Sequence, residues 1–160
     1  MAERMYTAEA TADGPRTGRT SSSDGRLNVQ LSRPAAMGGD DGPGTNPEQL
    51  FAAGYAACFH SAMRHALRPL GLRPDALQGG RVTAQVHFEK AGPTTFDLAV
   101  DLRAHLPQLD AKTAQALLEA THQICPYSRA TRGNVQVTLS LDEASSSHSP
   151  HEADLDAKTS

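Results

Sequence analysis

The stretch from Leu50 to Phe59, LFAAGYAACF, contains no charged side chain. A helix built from it has no polar face, so it must be covered on all sides. Its start is well marked. Asn46 suits an N-cap, Pro47 suits the first helical position, and Glu48 complements the positive end of the helix dipole. Pro69 and Gly71 stop it, which predicts a helix ending near Leu67, and Arg64 and His65 mark where its far end reaches the surface. The chain has 160 residues, of which 38% are apolar and none is Trp. Such a core is modest, and a second subunit is expected to supply part of the cover.

The rest of the chain provides what this helix packs on. Residues 6–32 read as extended segments joined by turns at Asp13-Gly14-Pro15 and Asp24-Gly25, with Leu27, Val29 and Leu31 alternating with polar neighbours. Residues 33–45, RPAAMGGDDGPGT, are too rich in Gly and Pro for a regular element and read as a mobile loop. They lack the GxxxxGK pattern of a phosphate cradle. Val82, Ala84, Val86 and Phe88 share one face of a strand, and Phe96, Leu98, Val100 and Leu102 share one face of the next. Gly92-Pro93 between them predicts a hairpin. A second helix, capped by Asp110, turns Ala114, Leu117, Leu118, Ala120 and Ile124 toward a core before Cys125-Pro126 leave it. A last strand carries Val135, Val137, Leu139 and Leu141, and the sequence after Glu143 is polar and Ser-rich. The expected fold is α+β, with antiparallel strands packed on two helices. It forms a single domain over residues 1–143, followed by a disordered tail over 144–160.

Composition excludes some functions. The net charge is −3 with no clustered Lys and Arg, which argues against nucleic-acid binding. No apolar run approaches the roughly 18 residues of a membrane span. Met1-Ala2-Glu3-Arg4 lacks the pattern of a secretory leader, so the expected compartment is the cytoplasm. In that reducing compartment paired cysteines are more often catalytic or redox-sensing than structural. Taken alone, Cys58 also fits a small core hydrophobe, because a mid-helix position offers nothing to lower a thiol pKa. Cys125 also fits a half-buried thiol at a helix exit, and the two stand 67 positions apart. Glu48 fits a helix-dipole residue, Arg16 a solvated turn charge, and Arg19 is an equally available cation. No CxxC pair exists, and the HxxC of His122 and Cys125 is half a ligand set, so neither metal nor cofactor is expected.

Two segments carry a resemblance. TNPEQLFAAGYAACF, Thr45–Phe59, and CPYSRATRGNVQV, Cys125–Val137, resemble the organic hydroperoxide resistance proteins, a branch of the osmotically inducible protein C superfamily. YTAEATADGPRTGR and SSDGRLNVQLS look like the same branch, and the likeness spans roughly Tyr6 to Asp142. The resemblance implies an intertwined homodimer around two central helices. It implies Cys58 as the peroxidatic cysteine, Cys125 as the resolving one, Arg16 rather than Arg19 as the cation, and Glu48 as its partner. Two positions depart from the pattern. Pro15 stands where Gly is usual and stiffens the Arg16 turn, and His60-Ser61 make the surroundings of Cys58 more polar.

The implied activity is reduction of organic hydroperoxides by a Cys58 thiolate. A Cys58–Cys125 disulfide then forms and is recycled by a dithiol, for which the resemblance suggests a lipoylated protein. Helix arithmetic adds a constraint. Glu48 and Cys58 lie ten residues apart on one helix, roughly 15 Å along its axis. Arg16 and Glu48 are therefore expected to serve Cys58 of the other subunit. Met37, Leu50, Phe51, Tyr55, Phe59 and Tyr127 are expected to line an apolar substrate pocket. The competing readings are a general peroxidase of the osmotic-stress branch, a redox-sensing or small-apolar-ligand-binding protein without turnover, and a structural domain with inert thiols.

Overall fold

Asn46 accepts the Gln49 N–H through its side-chain oxygen at 2.8 Å, and Pro47 opens helix α1, Pro47–Leu67. Gly71 ends the following 3-10 turn in the left-handed region, as the stop signal required. The computed structural model describes residues 3–142. The expected tail over 144–160 lies outside the described residues.

Two three-stranded sheets accompany α1. The first is an antiparallel meander of β1 (Ala10–Asp13), β2 (Arg19–Ser22) and β3 (Asn28–Gln30). The second orders β4 (Arg81–Lys90), β5 (Phe96–His105) and β6 (Gln136–Leu141) with β5 in the centre. β4 and β5 form the expected hairpin, in register from Arg81 opposite His105 to Lys90 opposite Phe96. β6 runs parallel to β5, so that Val137 faces Val100. Helix α2 (Ala111–Ile124) is capped by Asp110, which accepts the Thr113 N–H at 3.0 Å. A short helix α3, Pro126–Thr131, follows it. The segment over 33–45 holds a 3-10 turn, Ala35–Met37, and its base is closed by Ser32 N–H to the Thr45 carbonyl and Thr45 N–H to the Gln30 carbonyl.

The core forms where α1, α2 and the second sheet meet. Tyr55, Phe59, Ala62, Met63, Ala66 and Leu67 of α1 pack with Val100, Leu102 and Ala104 of β5 and Leu117 and Leu118 of α2. The α+β class is as expected. Burial of α1 on every side is not what one chain achieves: Ala53, Ala57 and Ser61, one turn apart, are exposed, and Cys58 is half-buried. One sheet and one helix cover only one flank of a cylinder. Ile124, expected inside, is 43% exposed. The buried stripe of α2 runs Ala114, Leu117, Leu118, Thr121 and then Cys125, so the thiol takes the inward place assigned to Ile124.

Candidate active site

The GPRTG turn between β1 and β2 aims Arg16 at the first turn of α1. Gly18 donates its N–H to the Pro15 carbonyl at 2.8 Å, and a Cβ on Gly18 would collide with the Asp13 carbonyl oxygen, so this turn admits no side chain there. Arg16 forms a bidentate pair with Glu48, Nη1 to Oε2 and Nη2 to Oε1, both at 2.7 Å. Its Cζ also lies 5.2 Å from the centroid of the Phe88 ring. Arg19 is exposed at the start of β2, opposite Asp13 and Gln30. Of the two arginines that composition left open, Arg16 is the one paired with Glu48. Its hydrogen bond holds the Glu48 carboxyl below the usual carboxylate range, and Glu48 in turn raises the guanidinium pKa.

Cys58 and Cys125 meet, with their sulfurs 3.8 Å apart. Cys125 is fully buried at the N-cap of α3, and Cys58 faces it from α1. A buried hydroxyl sets this approach. Tyr55 Oη donates to Ser128 Oγ at 2.9 Å and lies 3.3 Å from Thr131 Oγ1, which donates to the Tyr127 carbonyl at 2.9 Å. Tyr55 stands three residues before Cys58 and Ser128 three after Cys125, so one strut fixes both thiols. Sequence reasoning missed Ser128 and Thr131. The available signal was Tyr55 itself, whose hydroxyl on an otherwise apolar helix needs a partner. Tyr55→Phe is expected to leave Ser128 buried with an unmet group and to cost about 1–2 kcal/mol, read from the denaturant midpoint at unchanged slope.

Burial pushes the Cys58 thiol pKa up. A Tyr127 backbone N–H directed at the sulfur opposes that rise, and Cys125 adds to it. Among the described residues, no cation of its own chain is among the groups that shift the Cys58 pKa. The Arg16–Glu48 pair sits at the start of α1, ten residues and roughly 15 Å of helix from the thiol.

A groove of about 800 Å³ opens beside that pair, lined by Met37, Glu48, Ala52, Ala84, Val86, Phe88 and Phe96 among others. Met37 lines this groove. Leu50, Phe51, Tyr55, Phe59 and Tyr127 are not among its lining residues. Tyr55 and Phe59 are fully buried, because they follow one another by a helical turn on the flank that packs on the sheet and α2. Phe51, Tyr55 and Tyr127 instead form an aromatic cluster with centroids 5.6–6.1 Å apart. Tyr127 lies against Gly54, one turn before Cys58, where an added Cβ would stand 2.9 Å from its hydroxyl. His60 borders two smaller cavities that do not include Glu48. Among the described residues, no helix is long and apolar enough to cross a membrane.

Comparison with known proteins places this arrangement. Residues 38–140 match the family described as OsmC-like protein. The chain is 47% identical over 138 residues to an organic hydroperoxide resistance protein of Xanthomonas axonopodis pv. citri, covering 86% of this chain and 94% of that one. It is similar in structure to an organic hydroperoxide resistance protein from Legionella pneumophila, with a TM-score of 0.80 and 43% identity over 88% of this chain and 99% of that one. OhrB of Bacillus subtilis gives a TM-score of 0.76 and 42% identity over 87% of this chain and all of that one.

Proposed function

The chain belongs to the OsmC-like protein family, in its organic hydroperoxide resistance branch, and from that premise we propose that it is a thiol peroxidase with Cys58 as nucleophile. The Cys58 thiolate attacks the outer oxygen of a hydroperoxide. The O–O bond breaks, the sulfur gives up two electrons, and the alkoxide takes a proton and leaves as the alcohol. The resulting sulfenic acid condenses with the Cys125 thiol, forming the S–S bond and releasing water. An external dithiol, of which a lipoylated protein is an example, returns both electrons by exchange. The observation that carries this reading is the 3.8 Å approach of the two sulfurs from elements 67 residues apart.

The thiolate requires a cation, and Arg16 held by Glu48 is that cation, supplied by a second copy of the chain in a homodimer. Two features support this. Burial raises the Cys58 pKa with no cation of its own chain, among the described residues, acting on it, and the small-residue stripe Ala53, Ala57 and Ser61 of α1 is exposed. The groove at Glu48 then receives the substrate's apolar body. Burying about 100 Å² of apolar tail is worth ~2.5 kcal/mol, so a fatty-acid hydroperoxide is expected to exceed hydrogen peroxide in kcat/KM by on the order of 100-fold. Turnover of both with dihydrolipoamide tests this, and equal efficiency overturns it. A redox sensor or apolar-ligand carrier would instead keep Cys58 oxidised after the dithiol is added.

A further inference from the structure

We propose that Phe88 is a positioning residue for Arg16, its ring face fixing the tilt of the guanidinium that Glu48 fixes in plane; this rests on the peroxidase reading above. Two parallel N–H···O bonds to Glu48, each 2.7 Å, define the direction in which the fork points. They leave the plane free to turn about the line joining the two groups. The Phe88 ring, 5.2 Å from Arg16 Cζ, closes that freedom, because a guanidinium is attracted to an aromatic face. Phe88 is itself held from two sides. It faces Leu98 in the β4–β5 ladder, and its ring stacks on Phe96 with centroids 4.8 Å apart and planes 17° from parallel. Phe96 is half-exposed at the groove rim. The stack thus forms one wall of the groove and contacts the cation paired with Glu48 beside it.

The surroundings make such a hold useful. The charged or titratable side chains lining the groove are Glu48, His87 and Lys90, and His87 is already bonded to Asp101 at 3.0 Å. Glu48 anchors Arg16 from one side only, and the turn that carries Arg16 belongs to the first sheet, whose β1 is exposed along its whole length. A side chain reaching across from a separate sheet gains most from a second point of contact.

The test is the pH profile of Cys58 alkylation in the intact protein bearing Cys125→Ser, with kcat/KM measured in the parent chain. Arg16→Ala is expected to raise the midpoint of that profile, because the thiolate loses its cation and needs a higher pH to form. Phe88→Leu is expected to raise it in the same direction by less and to lower kcat/KM roughly 3- to 10-fold, with Phe88→Tyr close to wild type. In the Arg16→Ala background, Phe88→Leu should move the midpoint no further. If Arg16→Ala leaves the midpoint in place, the reading of Arg16 falls. If Arg16→Ala moves it and Phe88→Leu does not, the Phe88 proposal alone falls. Equal shifts from Phe88→Leu and Phe88→Tyr also overturn it, since Tyr keeps the ring face. Should Phe88→Leu fail to fold, Phe96→Leu reads the same stack from its exposed rim: a smaller rise supports the proposal and an unchanged midpoint overturns it.

Discussion

Cys58→Ser is expected to lower dithiol-driven turnover of an alkyl hydroperoxide by on the order of 10³-fold or more, because the proposed nucleophile is removed. Cys125→Ser should fail differently. It keeps the nucleophile, so each site consumes one peroxide in a burst and then stops, and excess peroxide drives Cys58 on to sulfinic acid. Burst amplitude together with the mass of the Cys58 peptide separates the two variants. The distinction rests on geometry: the sulfurs lie 3.8 Å apart, close enough that the proposed disulfide needs them to approach by roughly 2 Å. Peroxide consumption by Cys58→Ser equal to wild type would reduce the chain to a fold with inert thiols.

The second large effect concerns the ion pair. Arg16→Ala and Glu48→Gln are each expected to lower kcat/KM by on the order of 10²-fold, the loss that follows removal of a preorganised charge partner. Glu48→Gln retains one hydrogen bond to Arg16 but gives up the charge and the second N–H···O⁻ bond that make the pair bidentate. A mixture tests which chain serves which thiol. When Cys58→Ser and Arg16→Ala chains are co-folded, a mixed dimer contains one site built from an intact Cys58 and an intact Arg16, provided they come from different subunits. Statistical mixing should then restore about a quarter of wild-type turnover. If both groups act within one chain, the mixture stays as inactive as its parents, and the shared site is refuted.

Much of this was written locally in the chain. Asn46-Pro47 and Gly71 are covalent punctuation, and they delimit α1 almost to the residue. The period-2 runs at Val82–Phe88 and Phe96–Leu102 mark β4 and β5 for the same reason. The parallel direction of β6 was not legible, since alternation reads the same whichever way a neighbouring strand runs. Helix α3 is six residues long, too short for a periodicity. The site divides along the same line. Glu48 and Cys58 were singled out by the motif around them rather than by position, but the Tyr55–Ser128 strut joins residues 73 apart, and Phe88 looked like one more inward strand residue. Tyr55 and Phe59 were misassigned to a pocket because apolar residues beside a reactive thiol look alike whether they line a groove or fill a core. Only the packing of α2 and the sheet on α1 distinguishes the two.

Among the described residues, no cation of its own chain acts on Cys58, which on the proposed shared site ties its reactivity to pairing. Within a single chain burial raises the Cys58 pKa, which disfavours the reactive thiolate, and on the proposed shared site the balancing charge comes only from a second copy. On that proposal mass action governs reactivity, and activity per chain is expected to fall as the protein is diluted toward the dissociation constant of the pair.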